Sequence, residues 1–384
     1  MEDWKTYRLG DLIQIRYGKD HKALADGPFP AYGSGGLMRS VEKPIYNKQS
    51  ILIPRKGSLN NIIYVDIPFW TVDTMFWTII DTSIVLPHYL YYALKDFDFA
   101  SLNVGSAVPS LTCPVIEAIE VPIPSLQLQR QILNCIEPID DKIALNNRIN
   151  HNLEEQAQAL YKSWFVDFEP FKGGKFVDSE LGLIPEGWSV VSAEDICPIN
   201  IGKTPPRKES EWFSAKDEDY TWVSISDMSN CGTYIDASSE TLTPEAVRKF
   251  NIAIVPAGSV LLSFKLTIGR VAIADKDLTT NEAIARFVTN NSALTDYLYL
   301  ALKDYDYSKL GSTSSIATAV NSKIIRAMPL LYPGSCVINE FAGIVEGMFK
   351  EIRKRQSENR ILADMRDFAL PRLMSGDKLP FVTC

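Results

Sequence analysis

Ten basic residues of this chain stand in two groups. Arg39, Lys43, Lys48, Arg55 and Lys56 lie in the first half, and Lys203, Arg207, Lys208, Lys265 and Arg270 in the second. The chemistry open to such groups is neutralisation of phosphate, a contribution that does not depend on base sequence. The bland alternative is a pair of solvated faces. A net charge of −8 argues mildly against a polyanionic partner, which usually leaves a basic footprint. Net charge is a sum over the molecule, however, and an interface needs only a local basic face. The acidity has other places to lie, among them "NLEEQ" (152–156) and "AKDEDY" (215–220).

Other chemistries fare worse. Asp96, Asp98, Asp304 and Asp306 could hold a metal, but they alternate with Phe97, Phe99, Tyr305 and Tyr307 at the end of an apolar run. That pattern fits a solvated edge whose aromatics pack inward, and no His, Cys or Glu cluster joins it. The six cysteines, Cys113, Cys135, Cys197, Cys231, Cys336 and Cys384, never fall within four residues of each other, so zinc-ribbon spacing is absent. The histidines, His21, His88 and His151, are scattered. No metal is expected. "YGSGG" (32–36) is neither G-x-G-x-x-G nor a P-loop and reads as a tight turn. "TPPR" (204–207) is not the Asn/Asp-Pro-Pro-aromatic motif with which amino-methyltransferases hold a target amine, and no glycine-rich strand–helix site for S-adenosylmethionine is evident. Catalysis by this chain is therefore not expected.

The elements that position these residues occur twice. "LYYALKDFDF" (90–99) returns as "LYLALKDYDY" (298–307), 298 − 90 = 208 residues later. "WKTYRLGDL" (4–12) faces "WSVVSAEDI" (188–196), and Gly18-Lys19 faces Gly202-Lys203, at an offset of 184. The second copy thus carries 208 − 184 = 24 extra residues, which "TPPRKESEWFSAKDEDY" (204–220) is expected to supply. "SILIP", "NIIYV", "SVLLSF" and "GRVAIA" read as strands, and "PHYLYYALK" and "DYLYLALK" as short helices. At 384 residues, 46% apolar and 22% charged, the chain has the composition of a globular protein with two domains. The polar start "MEDWKTYRLG" is unlike a signal peptide, and no apolar run approaches the ~20 residues that span a bilayer, so a cytoplasmic chain is expected.

Two long segments, 126–169 and 335–376, read as helices. In the first, Ile132, Ile136, Ile139, Ile143, Asn146, Asn150, Leu153, Ala157, Leu160 and Trp164 step by alternating fours and threes, a heptad seam. The same places 209 residues on hold Phe341, Val345, Met348, Ile352, Arg355, Asn359, Leu362, Arg366, Ala369 and Leu373. Asn150 coincides with Asn359, and a seam asparagine can fix register. Pro138 coincides with Gly347, and each is expected to kink its helix. The fold expected is α+β: duplicated α+β domains at 1–124 and 175–333, each followed by a long helix at 125–174 and 334–384. The two helices pair as an antiparallel coiled coil with pseudo-two-fold symmetry. A stretch such as 139–165 rises ~40 Å at ~1.5 Å per residue, close to one turn of B-DNA at ~34–36 Å.

With these words, the arrangement resembles the specificity (S) subunit of type I restriction–modification systems over nearly the whole chain. "YGSGG", "PRKGS" (54–58) and "FWTVDT" (69–74) are similar to its first target-recognition domain, and "GSAVPSLT" (105–112) to the loop before its first helix. "DDKIALNNRINHNLEEQAQALYKSWFVDFEPF" (140–171) is similar to its central helical region, the most specific of these signals. "LGLIPEGW" (181–188) resembles the entry into its second recognition domain, and "MRDFALPRLMSGDKL" (365–379) its closing helix. Two departures are visible: "STSSIATAV" (312–320) lacks the proline of "GSAVPSLT", and Arg355 and Arg366 stand on the seam.

The resemblance implies a non-catalytic subunit that reads a bipartite, asymmetric sequence of double-stranded DNA. Two methyltransferase (M) subunits would bring S-adenosylmethionine, and restriction (R) subunits would bring ATP and Mg; this chain would hold no cofactor and meet no membrane. The DNA-facing residues it suggests are Tyr32, Ser34, Arg39, Arg55, Lys56, Ser58, Asn60 and Ser106 in the first domain. In the second they are Lys203, Thr204, Arg207, Lys208, Lys265, Thr267, Arg270 and Ser312. The spacer seam would use Ile139, Ile143, Asn150, Leu153, Leu160 and Trp164 against Met348, Ile352, Asn359 and Leu362. The rival reading is a structural coiled-coil adaptor whose duplicated domains grip protein. A self-sufficient methyltransferase or nuclease is disfavoured by the missing motifs.

Overall fold

The computed structural model describes residues 4–105, 107–216, 219–310 and 320–375. It divides into two compact units, residues 1–142 with 361–384 and residues 143–360.

In the first unit, β1 (Lys5–Arg8) leads through one helical turn, α1 (Leu9–Leu12), into β2 (Ile13–Tyr17). Then come β3 (Phe29–Gly33), β4 (Gly36–Val41), β5 (Ser50–Pro54), β6 (Ile63–Val65), β7 (Trp70–Thr71) and β8 (Met75–Ile80). The helices α2 (Pro87–Lys95) and α3 (Cys113–Glu117) and the strand β9 (Glu120–Ile123) complete the domain, and α4 (Leu126–Phe165) follows. An antiparallel sheet runs β2-β8-β5-β6; a smaller one runs β4-β3-β7, with β3 and β7 parallel. β9 returns to pair with β1. "SILIP" is a strand because all five residues are buried, as a short continuous apolar run should be. α2 starts on Pro87, where a missing N–H is no loss. The repeated phrase at 90–99 is scaffold: Leu90, Tyr92, Leu94 and Phe99 are core residues, as is Tyr89 just before it. Asp98 accepts from the Ala100 amide at 3.1 Å and caps the next turn.

The second unit begins with the rest of α4. A hairpin of β10 (Phe176–Ser179) and β11 (Gly182–Pro185) precedes β12 (Ser189–Ser192), α5 (Ala193–Ile196) and β13 (Ile199–Ile201). After β14 (Phe213–Ser214) and β15 (Tyr220–Val223) come α6 (Asp227–Asn230), β16 (Tyr234–Ile235), β17 (Thr241–Leu242) and α7 (Pro244–Lys249). β18 (Val260–Ser263), β19 (Val271–Ala274), β20 (Thr279–Thr280) and β21 (Ile284–Phe287) follow. The unit closes with α8 (Ser292–Asp304), α9 (Ser322–Arg326), β22 (Pro329–Tyr332) and α10 (Ser335–Ser375), whose last turns belong to the first unit. Asn291 and Asn321 cap α8 and α9 by accepting two amides each.

The units repeat one topology. β12 pairs with β22 as β1 pairs with β9, β13 with β21 as β2 with β8, and β15 runs parallel to β20 as β3 does to β7. By strand register the offset is 209, so the extra length is 209 − 184 = 25 residues, and only part of it lies where the sequence suggested. The pairs Tyr32–Thr71 and Val223–Thr280 are equivalent. From Gly18 to Tyr32 is 14 positions and from Gly202 to Val223 is 21, a gain of 7. From Tyr32 to Ser50 is 18 and from Val223 to Ser259 is 36, a gain of 18. Most of the insertion is therefore α6, β16, β17 and α7; β17, α7 and Ile252 pack around Trp222 as a small apolar core, while Met228 and Ile235 of α6 and β16 pack with the main sheet.

α4 and α10 each run as one helix through the expected kink positions, Pro138 and Gly347, and α10 also contains Pro371. α4 stops at Phe165, ahead of the glycine pair; Phe168, in the left-handed region at φ 54°, turns the chain. In the second unit the helices are antiparallel. The Asn146 side-chain amide donates to Glu358 and to Asn359 at 2.8 Å each, while the rings of Trp164 and Phe341 lie 5.6 Å apart. Asn359 in turn donates to Asn147 at 2.8 Å, so its partners are Asn146 and Asn147. Asn150 is buried with its carbonyl oxygen unpartnered by protein.

Ile132, Ile136, Asn146, Asn150 and Ala157 of the expected seam are buried, and the seam is displaced only beyond Ala157. Ala157, Tyr161 and Phe165 are buried, while Leu153, Leu160 and Trp164 are only partly so. Ile352 is buried, and Ile143 and Met348 are partly buried. The reason is a second neighbour. α8 packs on the same flank, with Tyr297 5.9 Å from Tyr161 and 5.0 Å from Phe165, so the apolar stripe is wider than an a/d seam. In the first unit Ile139 and Leu362 are partly buried, and Arg366 pairs with Asp140 at 2.7 Å. Asp140 also accepts from the Tyr92 hydroxyl, so the seam arginine ties the helices to α2.

Candidate nucleic-acid interface

A backbone clamp, built the same way in both units, sets the interface loops. The Gly18 amide donates to Met75 at 3.0 Å and the Lys19 amide to Thr71 at 2.9 Å. The Gly202 amide donates to Ile284 at 3.1 Å and the Lys203 amide to Thr280 at 2.9 Å. A Cβ on Gly18 would lie 2.0 Å from the Val72 oxygen, and one on Gly202 1.9 Å from the Asn281 oxygen. Only glycine admits this approach.

The carbonyl of each lysine is capped by an indole. Trp70 donates to Lys19 at 3.0 Å, and Trp222 to Lys203 at 3.2 Å. The two tryptophans come from opposite strands of equivalent pairs: Ala31 faces Trp70 in one unit, and Trp222 faces Thr279 in the other. The large and small residues have changed places across the rung while the hydrogen bond is kept. A similar exchange occurs on β8 and β21. Trp77 caps the Tyr17 carbonyl at 3.2 Å, and the buried Arg286 caps that of Ile201 at 2.7 Å. Burial pushes the Arg286 guanidinium down to about 10.

The loops that follow are anchored alike. The Arg55 amide donates to Thr74 at 2.8 Å, and the Phe264 amide to Ala283 at 2.9 Å. Lys56 and Lys265 come next, both exposed, and each is followed by a residue with positive φ: Gly57 at 92° and Leu266 at 60°. In the first unit Gly57 donates to Pro109 at 3.1 Å and Leu111 to Arg55 at 2.9 Å. This brings the 103–111 loop alongside, braced by Asn103, which accepts from Gly105 and Ser110. The Ser34 carbonyl accepts from Asn61 at 2.8 Å. Next to it opens a cavity of about 630 Å³ lined by His21, Ser34, Met38, Asp73 and Thr74.

The suggested residues divide into exposed groups and structural ties. Among the described residues, Lys56, Ser58, Lys208, Lys265 and Thr267 are exposed with side chains free of hydrogen bonds and ion pairs; Ser34 is half-buried at the cavity, and Tyr32 is half-buried against the core around Phe69 and Met75. Arg55 lies 5.7 Å over the exposed ring of Tyr17. Arg39, by contrast, is bound to Asp26 at 2.7 Å and to the Leu24 carbonyl. Asn60 bridges Asp98 and the Ala100 amide. Lys203 donates to the Phe250 carbonyl at 2.5 Å and Arg270 to that of Ile225 at 2.6 Å. Arg207 grips Glu240 with two bonds of 2.7 and 3.0 Å and stacks 4.5 Å over Phe213 and Trp222. Thr204 donates to Glu282. Burial opposes ionisation of Glu282, but Thr204, its own amide and the nearby Lys265 and Arg207 hold its carboxyl below the usual range. Ser106 and Ser312 lie outside the described residues. Among the described residues, no group of three His, Cys, Asp or Glu could hold a metal, and no helix is long and apolar enough to cross a membrane.

Sequence reasoning matched Gly18-Lys19 with Gly202-Lys203 but assigned them no clamp, and it passed over Leu266. The signal for Leu266 was its place 209 residues after Gly57, the offset that also relates Thr71 to Thr280.

Residues 1–155 and 185–338 match the family model described as the type I restriction modification DNA specificity domain. The chain belongs to this family. It is 25% identical to the type I restriction enzyme HindI specificity subunit of Haemophilus influenzae, over 98% of this chain and all of that one. It is 28% identical to the MjaIX specificity subunit of Methanocaldococcus jannaschii, over 97% and 88% of the two chains. A crystal structure of a type I S subunit from M. genitalium superposes with a TM-score of 0.55 at 16% identity, covering 97% and 96% of the chains. That likeness shows the shared fold. As a type I specificity subunit the chain is the DNA-recognising, non-catalytic member of a multisubunit assembly.

Proposed function

We propose that each unit reads one half of a bipartite DNA target, through the loops that carry Lys56 and Lys265. The observation that carries this reading is the repeated anchoring. The same backbone bond, Arg55 to Thr74 and Phe264 to Ala283, ends each time in an exposed lysine and a positive-φ turn. Lys56 and Lys265, with Lys208, face phosphate, while Ser58, Thr267 and the cavity beside Ser34 are offered to base edges. Recognition domains at 1–124 and 175–333 are followed by spacer helices at 125–174 and 334–384, which dock two methyltransferase subunits. Restriction subunits join these, and the assembly works in the cytoplasm.

The test is methylome sequencing of a host carrying this chain with its methyltransferase subunits, paired with gel shifts of the purified complex. The expected result is methylation confined to one two-part sequence, and none by the chain alone. An assembled complex that retards all duplexes equally and methylates without sequence preference would overturn the reading.

A further inference from the structure

Leu266 is fully exposed, at 102% of its reference surface, and its backbone is left-handed. The Thr267 amide donates to the Lys265 carbonyl at 2.7 Å across it. A three-residue turn closed around a positive-φ centre is a rare and strained γ-turn. Among the described residues only Phe168, Asn251 and Leu266 have positive φ without being glycine. Phe168 is compensated by ring contacts with Phe176 and Trp188, and asparagine tolerates the conformation. Leu266 has neither excuse, and its counterpart in the first unit is glycine.

The turn is nonetheless rigidly held. The Ser263 hydroxyl donates to the Thr267 carbonyl at 2.7 Å and accepts from the Arg270 amide at 3.0 Å. Gly269 donates to the Ser263 carbonyl at 3.1 Å and leaves its open side to the Tyr307 ring. The fold thus spends a strained turn and two side-chain bonds to display one isobutyl group in water, with Lys265 and Thr267 exposed on either side. Nothing in the folded unit gains from it.

We propose that Leu266 is a specificity-determining residue that contacts a thymine 5-methyl group in the major groove. This rests on the DNA reading above. With Lys265 on phosphate, the tip is the apolar element of the loop, and the thymine methyl is the apolar feature of a major-groove base edge. Strain at an exposed tip is what a preorganised contact residue carries.

The test uses the complex assembled with its methyltransferase subunits and a duplex bearing the methylome-defined target. A second duplex has uracil for thymine in each half-site in turn. The wild type is expected to bind the uracil duplex about four-fold more weakly for one half-site, the factor for ~0.8 kcal/mol of a buried methyl. Leu266→Gly and Leu266→Asn are expected to lose that discrimination without melting earlier, since both suit the turn. Equal discrimination by the variants, or an earlier melt in both, would overturn the inference while leaving the DNA reading intact. A wild type that binds target and uracil duplexes equally would overturn the inference alone, and one that also binds an unrelated duplex equally would overturn both.

Discussion

The amide of Lys19 donates to the carbonyl of Thr71 at 2.9 Å, and 184 residues later Lys203 makes the same bond to Thr280 at the same distance. Duplication has preserved this backbone contact and both residue types, while the indole that caps the lysine carbonyl has moved from one strand of the pair to the other.

Gly18→Ala and Gly202→Ala should therefore destabilise their own units by about 1–3 kcal/mol, because each new Cβ meets a carbonyl oxygen that cannot move aside. Thermal unfolding checks this. An unchanged melting profile in both variants would mean the clamp is loose.

Trp70→Phe and Trp222→Phe keep most of the ring but leave the Lys19 or Lys203 carbonyl without its indole donor. A loss of about 1 kcal/mol is expected in each. Denaturant melts of the two variants should agree, despite the different strands from which the indoles come.

Lys56→Ala and Lys265→Ala should weaken DNA binding by similar factors for all sequences. Each should also flatten the dependence of log K on log salt by about 0.9 per phosphate that is no longer neutralised. Titrations at several salt concentrations measure it. A weakening confined to the target sequence would assign the lysine to base readout, and unchanged binding would return it to the solvated face.

Asp296 is buried on α8, and this burial, with Glu346 nearby and Lys350 opposing, raises its carboxyl to about 7. A folded-state value above the ordinary 3.8 means the stability contribution is whole below about pH 4 and is lost as pH rises through about 7. Asp296→Asn should match the wild type at pH 4 and melt higher at pH 8, by an amount on the order of a few kcal/mol. Equal melting temperatures at pH 8 would show that the group is not confined in this way.

Much of this was legible in the linear chain because duplication leaves two readings of one physics. "LYYALKDFDF" and "LYLALKDYDY" are amphipathic at helical spacing and end in the same capped turn, so comparison separated core from surface. The long helices were legible too, since a heptad pattern extends over many turns, but the end of α4 at Phe165 falls short of the expected 169 and ahead of the glycine pair. The insertion was misplaced because polar composition marks loops, whereas the added core around Trp222 and Leu242 is built from short apolar pieces too brief to show a period.

The basic residues show the limit more sharply. Arg39, Arg207 and Lys56 have the same charge in the sequence, yet Asp26 holds the first, Glu240 and two aromatic rings hold the second, and the third is unpaired among the described residues. A side chain's partner lies 13 residues away for Arg39 and 33 for Arg207, and local spacing carries no record of it.

By itself the sequence determined the duplication, the α+β character, the long helices and the absence of a methyl-donor motif, because each is written in local pattern and repeats at a fixed offset. Only the tertiary structure decided which flank of α4 is buried, which cations are free and that Leu266 stands in water on a strained turn. Those outcomes depend on what the chain brings alongside from far away, and burial and backbone strain exist only once it has done so.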